Sequence, residues 1–436
     1  MDTKHMMARA ALVVACGLVI NHGASAQTLT APTPRPGHGM FDRAGTGDQT
    51  LDVTIQTLGA YDDDITAVGT TATPNPTTQQ GGPYSMVSAN VAYSKRLGHG
   101  TFGLSEGSAF RYYPTLDATY TAQHAGAMGL ALDFGQTNLS LSESVGVTPW
   151  LSFSPIPGLF TPGTAELPAS GADQAVDRRD QMFFSSLVSL TQRLSPRSSL
   201  TFTSSFQRDE FTGDGTHHTT SLLSGRYSHN MSRDLSVVLG YSMQQRSYQT
   251  IGGGVLPTTR LHNVDAGVDY NRALGPTHRT TVGFTTGTAL VQDAVGYTQP
   301  QITGNFRVNR EIGRTWHLVG AYRRGVGFVD GFAGTFFADS FSGSFGGLVN
   351  RRLELAFGGG WSNGDLGAVV RSSHSQTLNS SARARFAMTR KASLVAEHNF
   401  YGYSFDDVLV VPNGLPPTLN RHSFHVGVEF WLPVIR

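Results

Sequence analysis

From Thr50 to the C-terminus, apolar and polar residues alternate in segments of about ten residues, bounded by Gly, Pro, Asp and Asn. In residues 235–243, Leu235, Val237, Leu239, Tyr241 and Met243 share one parity, and Ser236, Val238, Gly240 and Ser242 the other. Met128/Leu130/Leu132/Phe134, Leu353/Leu355/Phe357/Gly359/Trp361 and Phe424/Val426/Val428/Phe430/Leu432 repeat the pattern. A period of two over that length predicts strands with one face on lipid. Helical spacing is not sustained after Ile20.

The strands are joined alternately by short polar turns and longer irregular loops. The turns fall at 95–100, 134–138, 192–199, 229–234, 272–278, 309–314, 350–353 and 389–392, mostly with an arginine. They recur about every 40 residues, one hairpin per repeat, with one longer gap filled by the loop 151–178. The other loops are 62–83, 114–121, 212–216, 251–260, 288–299, 329–339, 363–373 and 404–420. Eight turns and nine loops give an all-β chain of eighteen antiparallel strands, with sixteen as the nearest alternative. Both termini then lie on the short-turn side. In lipid every backbone N–H and C=O must be bonded within the protein, so such a chain must close into a barrel.

Composition narrows the class. Charged residues are 14% of the chain, against roughly 25% in ordinary globular proteins, and glycine reaches 51 residues. Residues 1–26 read as a signal peptide. Lys4 and Arg9 precede an apolar stretch at 10–20, and Ala24-Ser25-Ala26 forms a cleavage site, so the mature chain is expected to begin at Gln27. Residues 27–49 are a Pro/Gly-rich arm and 50–436 the barrel. Cleavage removes Asp2, Lys4 and Arg9, leaving 30 basic against 30 acidic residues, so no basic field points to nucleic acid. Cys16, the sole cysteine, lies in the signal, which excludes a disulfide framework in the mature chain.

Candidate chemistry is sparse. His217 and His218 are adjacent and His422 and His425 are three apart, so on strands the members of each pair face opposite sides. No H-E-x-x-H or G-x-S-x-G occurs, and Gly252–Gly254 and Gly358–Gly360 lack the lysine and helix of a phosphate loop. No enzyme, cofactor or metal site is therefore expected. A surface lipase built from one Ser and one His on neighbouring strands would leave no local motif. Asp62-Asp63-Asp64 reads as a solvated acidic turn, with a calcium or lipopolysaccharide-bridging site as the sharper alternative. Tyr112, Tyr113, Trp150, Phe211, Tyr248, Trp316, Phe328, Trp361, Tyr401 and Trp431 sit near strand ends, as interface girdles would.

Strand parity selects lumen residues. With Val237/Leu239/Tyr241, Ile302/Phe306/Val308 and Leu378/Ala382/Phe386 on lipid, the inward set contains Gln244, Arg246, Thr303, Asn305, Arg307, Asn379, Ser381, Arg383 and Arg385. The arginines form either an anion-selecting ladder or pairs with inward acids such as Glu397. Glu106 and Glu143 break the scheme, since they share parity with apparent lipid-facing residues. Either a bulge at Gly103 or Gly107 flips the register, or those two strands turn their apolar face inward.

The leader, the KRL, QRL and NRR turns and the closing strand HSFHVGVEFWLPVIR resemble bacterial outer-membrane β-barrels of the porin type. The resemblance spans Thr50 to Arg436. Such proteins usually end on an aromatic residue, whereas here Phe430 and Trp431 are followed by five more residues. The resemblance implies an outer-membrane location, passage of small hydrophilic solutes, and contact with outer-membrane lipid, lipopolysaccharide and the barrel assembly machinery. Some relatives are linked to exopolysaccharide export, so a non-conducting or partner-dependent barrel is the alternative. The 28-residue loop 151–178 is the candidate constriction or external contact surface.

Overall fold

The computed structural model describes residues 48–65, 81–115, 119–149, 180–212, 217–249, 255–274, 280–292, 298–313, 315–328, 335–366, 373–405 and 418–435. The expected signal peptide, most of the expected N-terminal arm and the loop 151–178 lie outside them.

Eighteen strands make up the fold. They are β1 (Gln49–Asp62), β2 (Gly82–Leu97), β3 (Gly100–Tyr113), β4 (Thr119–Asp133), β5 (Thr137–Pro149) and β6 (Asp180–Ser195). β7 (Ser198–Phe211), β8 (His217–Asn230), β9 (Leu235–Gln249), β10 (Val255–Leu274), β11 (Thr280–Gln292) and β12 (Thr298–Ile312) follow. The last six are β13 (Trp316–Phe328), β14 (Thr335–Leu348), β15 (Leu353–Leu366), β16 (Ser373–Ala387), β17 (Ala392–Phe405) and β18 (Thr418–Ile435). Each pairs antiparallel with the next, and β1 pairs with β18, so the sheet has no edge. The alternation of short and long connections is the one the sequence predicts. No helix occurs among the described residues.

The short turns use local chemistry. Gly135 (φ 80°) and Gly313 (φ 68°) adopt the left-handed backbone that a side chain disfavours. The Asp133 carboxylate accepts the Gly135 N–H at 2.7 Å, and Asn350 Oδ1 accepts from the Arg352 and Leu353 N–H groups.

The two faces separate as period two requires. On β18, Phe424 (53% exposed), Val426 (55%), Phe430 and Leu432 point outward, while Arg421, Ser423, His425 and Glu429 are buried inside. Rings tile the outside: Tyr322 and Phe341 lie 4.7 Å apart, Phe341 and Trp361 5.8 Å, and Trp316 and Phe345 4.7 Å. A water-soluble protein does not carry an apolar belt of this extent.

Several expectations need correction. Tyr113, Phe211 and Trp431 are buried inside and not part of an outer girdle. Trp431 donates Nε1–H to Asp52 at 3.2 Å, a polar partner that lipid cannot offer. Trp150 lies outside the described residues. Asp62 is no solvated turn residue, since it ends β1 fully buried against Arg421. Asp63 accepts the His422 N–H at 2.8 Å, and Asp64 is buried. His217 and His218 face opposite ways, and His218 is buried, 2.9 Å from Asp209.

Candidate functional site

The inward face is the candidate site, and its extracellular part is packed. Around the seam, Leu58, Ala60, Ile65, Tyr84, Met86 and Tyr113 form one buried cluster. Beside it, Asp62 (0% exposed) accepts two 2.9 Å bonds from Arg421 Nε, Arg421 being 1% exposed. Tyr84 OH lies 2.8 Å from His425 Nε2. On β6–β8, Asp209 gathers Gln181 Nε2 at 2.8 Å, Gln207 Nε2 at 2.9 Å and His218. Buried carboxylates meeting cations and amide donors are what a water-poor interior requires.

One hairpin explains part of this closure. β12 and β13 pair from Ile312↔Trp316 only as far as Gly304↔Arg324, whereas β13 and β14 stay paired to Phe328↔Thr335. Beyond Arg324, β13 has therefore left the wall. Val326 shares parity with outward Tyr322, and Phe337 with outward Phe341. Yet both pack on Leu261, Ala289 and Val291, residues on the inward face of β10 and β11, opposite in parity to exposed Val264 and Phe284. Arg246 Cζ, also inward, lies 4.9 Å from the Phe328 ring centroid. The outward face of the hairpin thus lies on the inner wall, and the hairpin occupies the lumen. At the crossing, Arg324 meets Asp339 at 3.2 Å and Tyr322 OH donates to Asp339 at 2.6 Å.

Below the hairpin the inner wall is polar and open on one arc. Arg226, Asn305, Arg307, Ser381 and Arg383 are exposed, with Gln244 and Asn379 half-buried beside them. The nine residues of the inward set lie on the side opposite exposed Leu239, Ile302, Phe306, Leu378 and Phe386, but their arginines do not act as one ladder. Arg383 Nε binds Glu397 at 3.0 Å, and Asn399 also donates to Glu397 at 3.1 Å. Arg385 (4% side-chain exposure) bridges Glu354 at 3.1 Å and Glu429 at 3.4 Å. Arg246 is buried and donates to Thr220 at 2.9 Å. Among the described residues, Arg307 has no ion-pair partner. The hairpin lock, the Asp62–Arg421 pair and the Asp209 cluster were not among the sequence-level candidates. Parity places the Asp62–Arg421 pair and the Asp209 cluster on the inward face and the hairpin residues on the outward one, and pairing residues 359 positions apart requires knowing that β1 meets β18.

Glu106 and Glu143 resolve without a bulge. The β2–β3, β3–β4 and β4–β5 registers run unbroken, and Glu106 shares parity with exposed Leu104 and Phe110. Both carboxylates face outward.

A closed, edgeless sheet with an apolar outside and a polar-lined inside has one stable environment. The chain is a closed transmembrane β-barrel. No family model and no curated protein matches its sequence. Among solved structures, OpdQ of Pseudomonas aeruginosa is similar at TM-score 0.45 and 10% identity, over 89% of this chain and 98% of that one. OccAB4 of Acinetobacter baumannii follows at TM-score 0.43 and 11% identity, over 89% and 98%. The copper transporter OprC is similar at TM-score 0.45 and 9% identity, over 90% and 81%.

Proposed function

We propose that the barrel is a porin-like channel for passive diffusion of small hydrophilic solutes, with no chemistry of its own, and that the β13–β14 hairpin sets its constriction. The observation that carries this reading is the exposed polar arc from Arg226 to Arg383 beneath the hairpin. A barrel interior with no solute to pass has no need of solvated arginine and asparagine in mid-wall. In this reading the belt contacts outer-membrane lipid and lipopolysaccharide, and the barrel assembly machinery reads β18 with Phe430 and Trp431 short of its end.

Selectivity tests the lining. An unpaired guanidinium in a narrow, low-dielectric passage lowers the energy of an entering anion. Arg307→Gln is expected to shift the reversal potential in a salt gradient toward cations at normal folding yield. Arg383→Gln should add to the shift by exposing Glu397. Arg385→Gln should instead lower the folded yield, because Glu429 keeps its burial and loses its partner. A reversal potential unchanged in Arg307→Gln contradicts the assignment.

A second reading is a partner-dependent barrel for polysaccharide export or surface attachment. The packed extracellular interior favours it, since a passage sealed at rest suits an exporter opened by its partner. Conductance that appears only after a polysaccharide-synthesis partner is added distinguishes this reading from the first.

A further inference from the structure

Two turns on the short-turn rim follow one pattern: apolar, polar, basic, basic. Between β14 and β15 it is Val349-Asn350-Arg351-Arg352, and between β16 and β17 it is Met388-Thr389-Arg390-Lys391. Both are built alike. The first residue donates its N–H to the carbonyl at the start of the next strand, Leu353 at 2.9 Å and Ala392 at 3.0 Å. The polar side chain then accepts the N–H of the last residue, Arg352 to Asn350 Oδ1 at 2.8 Å and Lys391 to Thr389 Oγ1 at 3.1 Å. β15 pairs with β16, and the Ala387 N–H donates to the Arg352 carbonyl at 2.8 Å, so the two turns stand side by side.

The turn itself does not require the cations. Residues 231–234, between β8 and β9, close the same way. Met231 N–H meets the Leu235 carbonyl at 2.9 Å, Asp234 N–H meets Ser232 Oγ at 3.2 Å, and the last residue there is an acid. Arg351, Arg352, Arg390 and Lys391 are all exposed, neither of their turns contains a carboxylate, and none of them makes an ion pair among the described residues. Glu354, the acid that follows, faces the lumen and is held by Arg385 at 3.1 Å. At the opposite rim Arg208 meets Glu210 at 3.6 Å and His374 meets Asp365 at 3.1 Å. Like charges crowded on neighbouring turns repel one another, and an anion between them relieves that repulsion.

We infer that these two turns bind the phosphate headgroup of an anionic phospholipid. Guanidinium and ammonium groups give phosphate oxygens charge-assisted hydrogen bonds, and basic residues at a membrane surface attract anionic lipid. The apolar residue that opens each turn favours a lipid over a soluble anion. Val349 (51% exposed) and Met388 (45%) continue the lipid-facing parity of Phe345 and Phe386. An acyl chain lies on them while its headgroup meets the cations, whereas a free phosphate needs the cations alone. The inference is independent of whether the lumen conducts.

The test is lipid retention. The folded barrel is placed in nanodiscs of phosphatidylcholine with a minor share of phosphatidylglycerol and released into mild detergent, and the lipids that stay bound are counted by native mass spectrometry. Phosphatidylglycerol is expected to be enriched about tenfold over its share of the bilayer. Arg352→Asp/Lys391→Asp places at both turns the residue that Asp234 already occupies in the third, so it should fold normally and lose the enrichment. Arg208→Gln, at the opposite rim, should keep it. Val349→Ser/Met388→Ser should keep the cations and still retain less phosphatidylglycerol, and glycerol phosphate in solution should not displace the lipid. Equal retention by wild type and the charge-reversed barrel, or no enrichment in either, overturns the proposal. Displacement by glycerol phosphate as effective as by the lipid overturns it in favour of a soluble anion. A cross-link from Lys391 to an acidic protein, with phosphatidylglycerol retained equally by both barrels, overturns it in favour of that partner.

Discussion

Arg421→Met is expected to abolish most heat-modifiable, folded protein, the largest effect of any single substitution considered. Arg421 and Asp62 are both fully buried and tie the last strand to the first at the seam that closes the barrel. Removing the cation takes from a fully buried carboxylate the guanidinium that meets it, a loss of about 3–5 kcal/mol when a buried pair is broken from one side. Asp62 also accepts the Asp64 N–H at 2.8 Å, so the residue must keep an acceptor. The double variant Asp62→Asn/Arg421→Gln removes both charges and keeps that acceptor, and should recover a large part of the folded yield. The folded fraction on unheated gels reads both results. If Arg421→Met folds as well as wild type, the pair does not hold the seam.

Phe337→Ala combined with Val326→Ala is expected to raise the ratio of open to closed channel by roughly a hundredfold. These side chains are the apolar contact between the hairpin and the inner wall at Leu261, Ala289 and Val291. Truncating a fully buried Phe costs roughly 3–5 kcal/mol in a packed core; Phe337 is partly buried, so it and Val326 together are expected to lose about the lower end of that range, and each 1.4 kcal/mol is about a tenfold change in an equilibrium. A site that relaxes on truncation loses less, and a loss near 3 kcal/mol still moves the closed-to-open ratio about a hundredfold. The β13–β14 pairs remain, so the hairpin should stay a hairpin while leaving the lumen. Barrel closure does not depend on this contact, and the folded yield should hold. Unchanged gating at normal yield would show that the hairpin does not control the passage.

The barrel was legible in the sequence because its two signals are local. Alternation over ten residues and the change between short and long connections need no knowledge of what lies across the lumen. Gln244, Asn305 and Arg307 take their face from the same alternation, opposite exposed Leu239, Ile302 and Phe306. Partners were not legible. Arg383 meets Glu397 on the adjacent strand, a pairing parity suggests, but Arg385 reaches Glu429 two strands away and Asp62 meets Arg421 only through closure. The hairpin was hidden because Val326 and Phe337 keep the alternation of a lipid-facing surface. An apolar face reads the same in sequence whether it meets lipid or the inner wall. Glu106 and Glu143 were legible as an inconsistency, and the unbroken registers leave both facing outward.

Planar-bilayer conductance of the purified barrel, beside its Phe337→Ala/Val326→Ala variant, shows whether the hairpin gates a solute passage. Wild type is expected to give brief, anion-favouring steps, and the variant a far larger open fraction with the same selectivity. Two folded, heat-modifiable proteins that leave the bilayer silent at every voltage would contradict both expectations.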